Sequence, residues 1–162
     1  MDELKKENRK VANWLLFYEE RKKEYEQLRE EIIEASPTPS NIGSISKNSV
    51  SDPVASKVMK LIKYQEMEEW LTLIEEVEKN LPPKMKLFLK LRREYRHSAG
   101  SKGWVAPVQY RYVHELAAML GKNPEDVWIE NRVTFWKWWN RIVEYAARLA
   151  AKRGLLREEM KE

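Results

Sequence analysis

The chain has 162 residues, of which 43% are hydrophobic and 35% charged, with a formal net charge of +4 and no cysteine. That length suits one domain of ordinary size, or a small domain plus an extension, and the missing cysteine removes disulfides, thiolate nucleophiles and cysteine-based zinc sites together. No run of about 18 apolar residues is present to span a membrane, and the opening Met-Asp-Glu-Leu-Lys-Lys lacks the apolar stretch of a signal peptide, so a cytoplasmic protein with no membrane partner is expected.

In chain order, residues 1–34 contain no Gly or Pro and predict one long helix from about residue 2. Leu4, Val11, Tyr18, Tyr25 and Ile32 recur every seventh position. Trp14 and Leu28 fill two of the intervening seam positions, and Glu7 and Arg21 spoil the others. Such a seam packs along another helix. The other helix belongs either to the same domain or to a second copy, so a homo-oligomer through 1–34 is one reading.

Residues 35–52 are rich in Ser, Pro, Asn and Gly and predict a flexible linker that proteases nick first. Asp52-Pro53 then restarts helix, with a cap residue followed by Pro at the first helical position. Over 53–80, Leu61, Tyr64, Met67, Trp70 or Leu71, Ile74, Val77 and Leu81 follow 3–4 spacing, while Glu66, Glu68, Glu69, Glu75, Glu76 and Glu78 occupy the other side. This Met and aromatic stripe reads as core, not as a cofactor site. Pro82-Pro83 closes the helix.

Residues 81–108 carry seven basic side chains against one acid. Within them a short helix is predicted over 84–97, with Met85, Phe88, Leu91 and Tyr95 inward. Lys86, Lys90, Arg93 and His97 form a second stripe, spaced to suit phosphates along one groove edge. Residues 98–107 predict a loop that Trp104 pins to the core. A +6 segment is also what an ordinary solvated face looks like.

Residues 110–154 hold the sharpest pattern. Leu116, Ala117 and Leu120 before Gly121 suit the first helix of a helix-turn-helix. Asn123-Pro124-Glu125-Asp126 is a second helix start: an Asn cap, Pro, and acids in the first turn. Helices are expected over 110–120 and 124–153. Counted from Ala117, however, Lys122 and Glu130 take positions that normally bury apolar groups. The recognition helix therefore begins either at Pro124 or near Asn131. The later start is favoured because acids facing phosphates repel, which makes 124–130 an extra turn.

At 100° per residue, Phe135, Trp138, Trp139, Ile142, Ala146 and Leu149 share one side of the last helix. Lys137, Asn140, Arg141, Glu144 and Arg148 lie opposite, with Arg132 and Trp136 at the border. Trp128, Trp138 and Trp139 are expected in the core and Trp136 at the surface. Arg and Asn on an exposed helix suit bidentate contacts with guanine and adenine edges. The candidate base-reading set is thus Arg132, Trp136, Lys137, Asn140 and Arg141, and the candidate phosphate set is Lys86, Lys90, Arg93 and Arg111. Residues 155–162 read as a charged tail.

The order of these segments carries a resemblance. It runs through Tyr-Glu-Glu-Arg-Lys-Lys-Glu-Tyr, a Ser-rich break, Ser-Asp-Pro-Val-Ala-Ser-Lys-Val, Leu-Pro-Pro-Lys-Met-Lys-Leu-Phe, Glu-Leu-Ala-Ala-Met-Leu-Gly and Phe-Trp-Lys-Trp-Trp-Asn-Arg-Ile-Val. This resembles the RinA/ArpU group of bacteriophage and prophage late transcriptional regulators, whose C-terminal part is similar to region four of bacterial sigma factors. The resemblance implies an all-α protein in which 53–154 form a helix-turn-helix domain. It further implies an activator that binds double-stranded DNA and acts with the bacterial host RNA polymerase. The stretch 122–132 departs from the family pattern, being longer and more acidic than the usual Ser-rich turn.

Enzyme chemistry finds little support. His97 and His114 are the only histidines, and there is no phosphate-binding Gly loop, no His-Glu-x-x-His and no nucleophile elbow. No catalytic residue, metal ligand or cofactor is expected. Two other readings share the pattern: a phage terminase small subunit, which also joins a helix-turn-helix to helical oligomerisation elements, and a helical interaction protein that does not touch DNA.

Overall fold

The computed structural model describes residues 6–34, 53–97, 103–128 and 130–156. These are all-α: α1 (Lys6–Leu16), α2 (Tyr18–Glu34), α3 (Pro53–Lys79), α4 (Pro83–Glu94), α5 (Val105–Leu120) and α6 (Arg132–Lys152), with a short 3-10 turn at Pro124–Asp126. The expected linker 35–52 and the tail beyond residue 156 lie outside the described residues.

From Val11 on, the N-terminal seam packs inside the chain; Leu4 and the expected helix start near residue 2 lie outside the described residues. Val11 and Leu15 are fully buried, Tyr18 and Leu28 nearly so, and Tyr25 and Ile32 pack at the edge of the core. Trp14 stacks on Trp70 of α3, ring centroids 5.4 Å apart, and Tyr25 stacks on Tyr64 at 4.7 Å while donating a hydrogen bond to its hydroxyl. The single expected helix is interrupted at Phe17, although Phe17 N still donates to Asn13 O and Arg21 N to Phe17 O, both at 2.9 Å. With neither Gly nor Pro nearby, nothing local marks this break.

The α3 stripe behaves as its spacing predicts over its second half. Met67, Trp70, Leu71, Ile74, Val77 and Leu81 are buried. The first half does not follow: Val54, Val58, Met59, Leu61 and Ile62 are exposed. The expected inward position of Leu61 is thereby corrected, because no described helix reaches that end of α3 on the stripe's side.

Helix α6 is the axis of the fold and packs against α1, α3, α4 and α5. Its inner face meets an aromatic cluster. Phe88 of α4 stacks on Phe135 at 5.8 Å and meets Trp104 and Trp138 edge-on at 5.9 and 5.7 Å; Tyr112 of α5 touches Phe135 edge-on at 5.2 Å. Edge-to-face and offset pairs of this kind add about 0.5–1.5 kcal/mol each beyond area burial. Trp104 is 1% exposed and anchors the start of α5. That helix begins at Val105, several residues before the expected start at 110, so Val105–Pro107 is helix and not loop. Leu156 is also buried, at 2% exposure, so the chain past α6 first folds back onto the core instead of leaving it as a tail at 155.

Candidate nucleic-acid interface

The unit that would read DNA is α5, its connection and α6. Ala117, 1% exposed, lets α5 approach its neighbours closely, and Gly121 ends the helix with a left-handed φ of 66°. Lys122 N donates back to Ala117 O at 2.9 Å and Gly121 N to Ala118 O at 3.3 Å, a Schellman closure that satisfies the last carbonyls. The chain then passes through the Pro124–Asp126 turn before α6 starts at Arg132. Asn131 caps α6, its Oδ1 accepting from Val133 N at 2.7 Å. The later of the two expected starts is therefore the observed one. The connection over 121–131 is longer than the three- or four-residue turn of a simple helix-turn-helix, and the acids Glu125 and Asp126 stay in the extra turn, off α6.

Two tryptophans exchange places relative to expectation. Trp136 is buried at 7% exposure, stacked 6.0 Å from Trp104, so it cannot lie at a groove edge. Trp128, expected in the core, is 80% exposed beside the connection. A helical wheel places Trp136 at a border, and the long-range partner Trp104 decides which side of that border it takes. Trp138 is half-buried against the cluster, and Trp139 is buried as expected.

The remaining candidates divide by what their charges already meet. Arg93 is largely covered: Nε donates to Leu15 O at 2.8 Å and Nη1 to Glu78 at 3.1 Å. Its cation is used inside the fold, so it leaves the phosphate set. Arg111 is held between Glu94 at 2.9 Å and Glu115 at 3.2 Å, and hydrogen bonding to Glu115, then to Tyr95, raises its pKa. Arg96 is bound to Glu20 and Arg153 to Glu76. By contrast Lys86, Lys90, Lys137 and Arg141 are exposed, and none is in an ion pair among the described residues.

Lys137 and Arg141 belong to one outward stripe of α6, with Val133, Glu144, Arg148 and Lys152. Glu144 is its single acid. Asn140 sits at the stripe's margin, half-buried, with Oδ1 enclosed and unpartnered, so only its amide nitrogen side could face a base. Arg132 is exposed at the start of α6, where Nε reaches Gln109 Oε1 at 3.3 Å and Gln109 donates to Glu130 O at 2.8 Å. Ala106, Tyr110, Val113, His114, Pro124 and Arg132 line an open groove of about 830 Å³ there, with Gln109 and Glu125. Lys86 and Lys90 share the outer side of α4, turned from Phe88 and hence from α6.

One functional-looking cation was not anticipated. Arg92, 8% exposed, lies between Trp104 and Trp139, its guanidinium carbon 4.5 and 4.9 Å from the two ring centroids. Burial lowers its pKa from the ordinary arginine value to about 10. Among the described residues no carboxylate pairs with it; Nη1 donates to Tyr95 O at 3.2 Å. In the sequence Arg92 is one more member of a basic run, and only its helical offset from Phe88 and Leu89 hints at burial.

Comparison with protein-family models, with curated proteins and with solved structures finds no match to this chain. No helix among the described residues is long and apolar enough to cross a membrane.

Proposed function

We propose that the chain is a sequence-specific DNA-binding transcriptional regulator, with α6 as its reading helix and α5 as the helix that braces it. The observation that carries this reading is the partition of cations. Arg93, Arg96, Arg111 and Arg153 are bound to acids, whereas Lys137 and Arg141 on α6, and Lys86 and Lys90 on α4, are exposed and in no ion pair among the described residues. A guanidinium held on a rigid helix is suited to a guanine edge, and solvated lysines are suited to phosphates. The RinA/ArpU resemblance gives this activity its setting: late phage or prophage promoters, in concert with the host RNA polymerase.

The amended contact set is Lys137 and Arg141 for bases, with Arg132 beside them, and Lys86 and Lys90 for phosphates. The test begins with selection from a randomised duplex library. Arg141→Ala is expected to cost about 1–3 kcal/mol on the enriched site and little on random duplex. Lys86→Ala is expected to weaken both alike and to reduce the salt slope by about 0.9. Failure to enrich any duplex, together with no binding at low salt, refutes the reading.

A further inference from the structure

Several apolar side chains at one end of the α2–α3 pair are exposed among the described residues. Ile33 is 61% exposed near the end of α2, and at the start of α3 Val58, Leu61 and Ile62 are 47%, 38% and 51% exposed. On α3, Val58, Leu61 and Ile62 stand at i, i+3 and i+4, which places them in one stripe. These branched side chains stand exposed together, as a contact surface would.

Charge along α3 says what covers it. The first part of the helix carries Lys57, Lys60 and Lys63 with no acid before Glu66; the part that follows carries Glu66, Glu68 and Glu69 with no base before Lys79. Among the described residues none of these six is in an ion pair. A helix basic at one end and acidic at the other is complementary to itself run in reverse.

We propose that this face docks a second copy of the chain, with α3 antiparallel to α3 of that copy about a two-fold axis near Leu61 and Ile62. A two-fold contact must be self-complementary, and this one is. Leu61 and Ile62 of the two copies meet at the centre. Lys57, on the flank of the stripe, comes opposite Glu68 of the second copy, and the reverse pair forms by symmetry. The described part of the N-terminal seam, from Val11 to Ile32, packs within the chain and is not needed for this contact.

The experiment is sedimentation equilibrium on the full chain without DNA, so that its outcome does not depend on the DNA-binding reading. The expected mass is twice the 19.4 kDa of one chain. Ile62→Glu puts a charge at the centre of the contact and is expected to raise the dissociation constant at least about tenfold. Since Ile62 is half exposed, its circular dichroism should be that of the parent. Lys57→Glu is expected to weaken the dimer, and Lys57→Glu with Glu68→Lys to restore it. A monomer at every concentration, or a dimer indifferent to Ile62→Glu, overturns the proposal. A double variant no better than Lys57→Glu alone overturns the antiparallel arrangement.

Discussion

Replacing Arg92 asks what a buried cation without a carboxylate contributes. Burial pushes its pKa down from the ordinary arginine value to about 10, a fall of roughly two units. At 1.36 kcal/mol per unit, keeping it charged in the fold costs roughly 3 kcal/mol. Against this stand two rings, Trp104 and Trp139, each worth up to about 2 kcal/mol to a desolvated cation, and the Tyr95 carbonyl that accepts from Nη1. The terms nearly cancel. Arg92→Met, which keeps the length and removes both the charge and its cost, is therefore expected to shift stability by no more than about 1 kcal/mol. Arg92→Ala leaves a hole between two indoles and is expected to lose about 2–4 kcal/mol. Arg92→Lys keeps a charge but not the flat surface that lies against two rings, and should fall nearer the alanine variant. Urea unfolding at pH 7 of the three variants measures this. A methionine variant as unstable as the alanine variant would refute the reasoning, because charge, not volume, would then hold the site. The sign with pH follows from the lowered folded pKa: the unfolded chain holds the proton more tightly, so the cost is present in full at pH 7. It is relieved only as pH rises from about 10 towards the unfolded value.

The tyrosines act in the opposite sense. A hydrogen bond to Tyr64, and then burial, push Tyr25 up to about 12; burial and then the hydrogen bond to Glu75 also raise Tyr18. A raised folded pKa gives stabilisation that is complete below the ordinary tyrosine value near 10 and lost as pH climbs through the folded value. Urea midpoints are thus expected to fall between about pH 10 and 12, less steeply in Tyr25→Phe. Gly121→Ala meets no atom within 4 Å but must hold φ near +66°, so about 1–2 kcal/mol should be lost in thermal unfolding, and less with Asn. Asn131→Ala removes the α6 cap and is expected to cost about 1 kcal/mol, with raised amide exchange confined to the first turn of α6.

Periodic features were readable from the residues alone. The seam of Val11, Tyr18, Tyr25 and Ile32 and the inner stripe of α3 from Met67 to Leu81 follow from spacing, and the start of α6 after Asn131 is one of the two that the sequence leaves open. What could not be read depends on partners distant in the chain. Trp136 turns inward because Trp104 lies there to receive it. Arg92 is buried because Trp104 and Trp139 enclose it, and Arg93 is consumed by Leu15 O and Glu78. In each case the local pattern offers two faces and a contact from another helix chooses between them. Trp128 misled for a different reason: it sits in an irregular connection, where apolar character says nothing about direction.

The displaced Trp128 has a practical corollary. Of the seven tryptophans, five are buried and Trp138 is half-covered, which leaves the indole of Trp128 as the one bathed in water. A soluble quencher such as iodide therefore reaches one fluorophore long before the rest. That fluorophore lies in the connection, four residues ahead of the start of α6 at Arg132. The chain thus carries its own optical reporter there, and any duplex that settles on this helix will register as shielding of a single emitter, with no label attached.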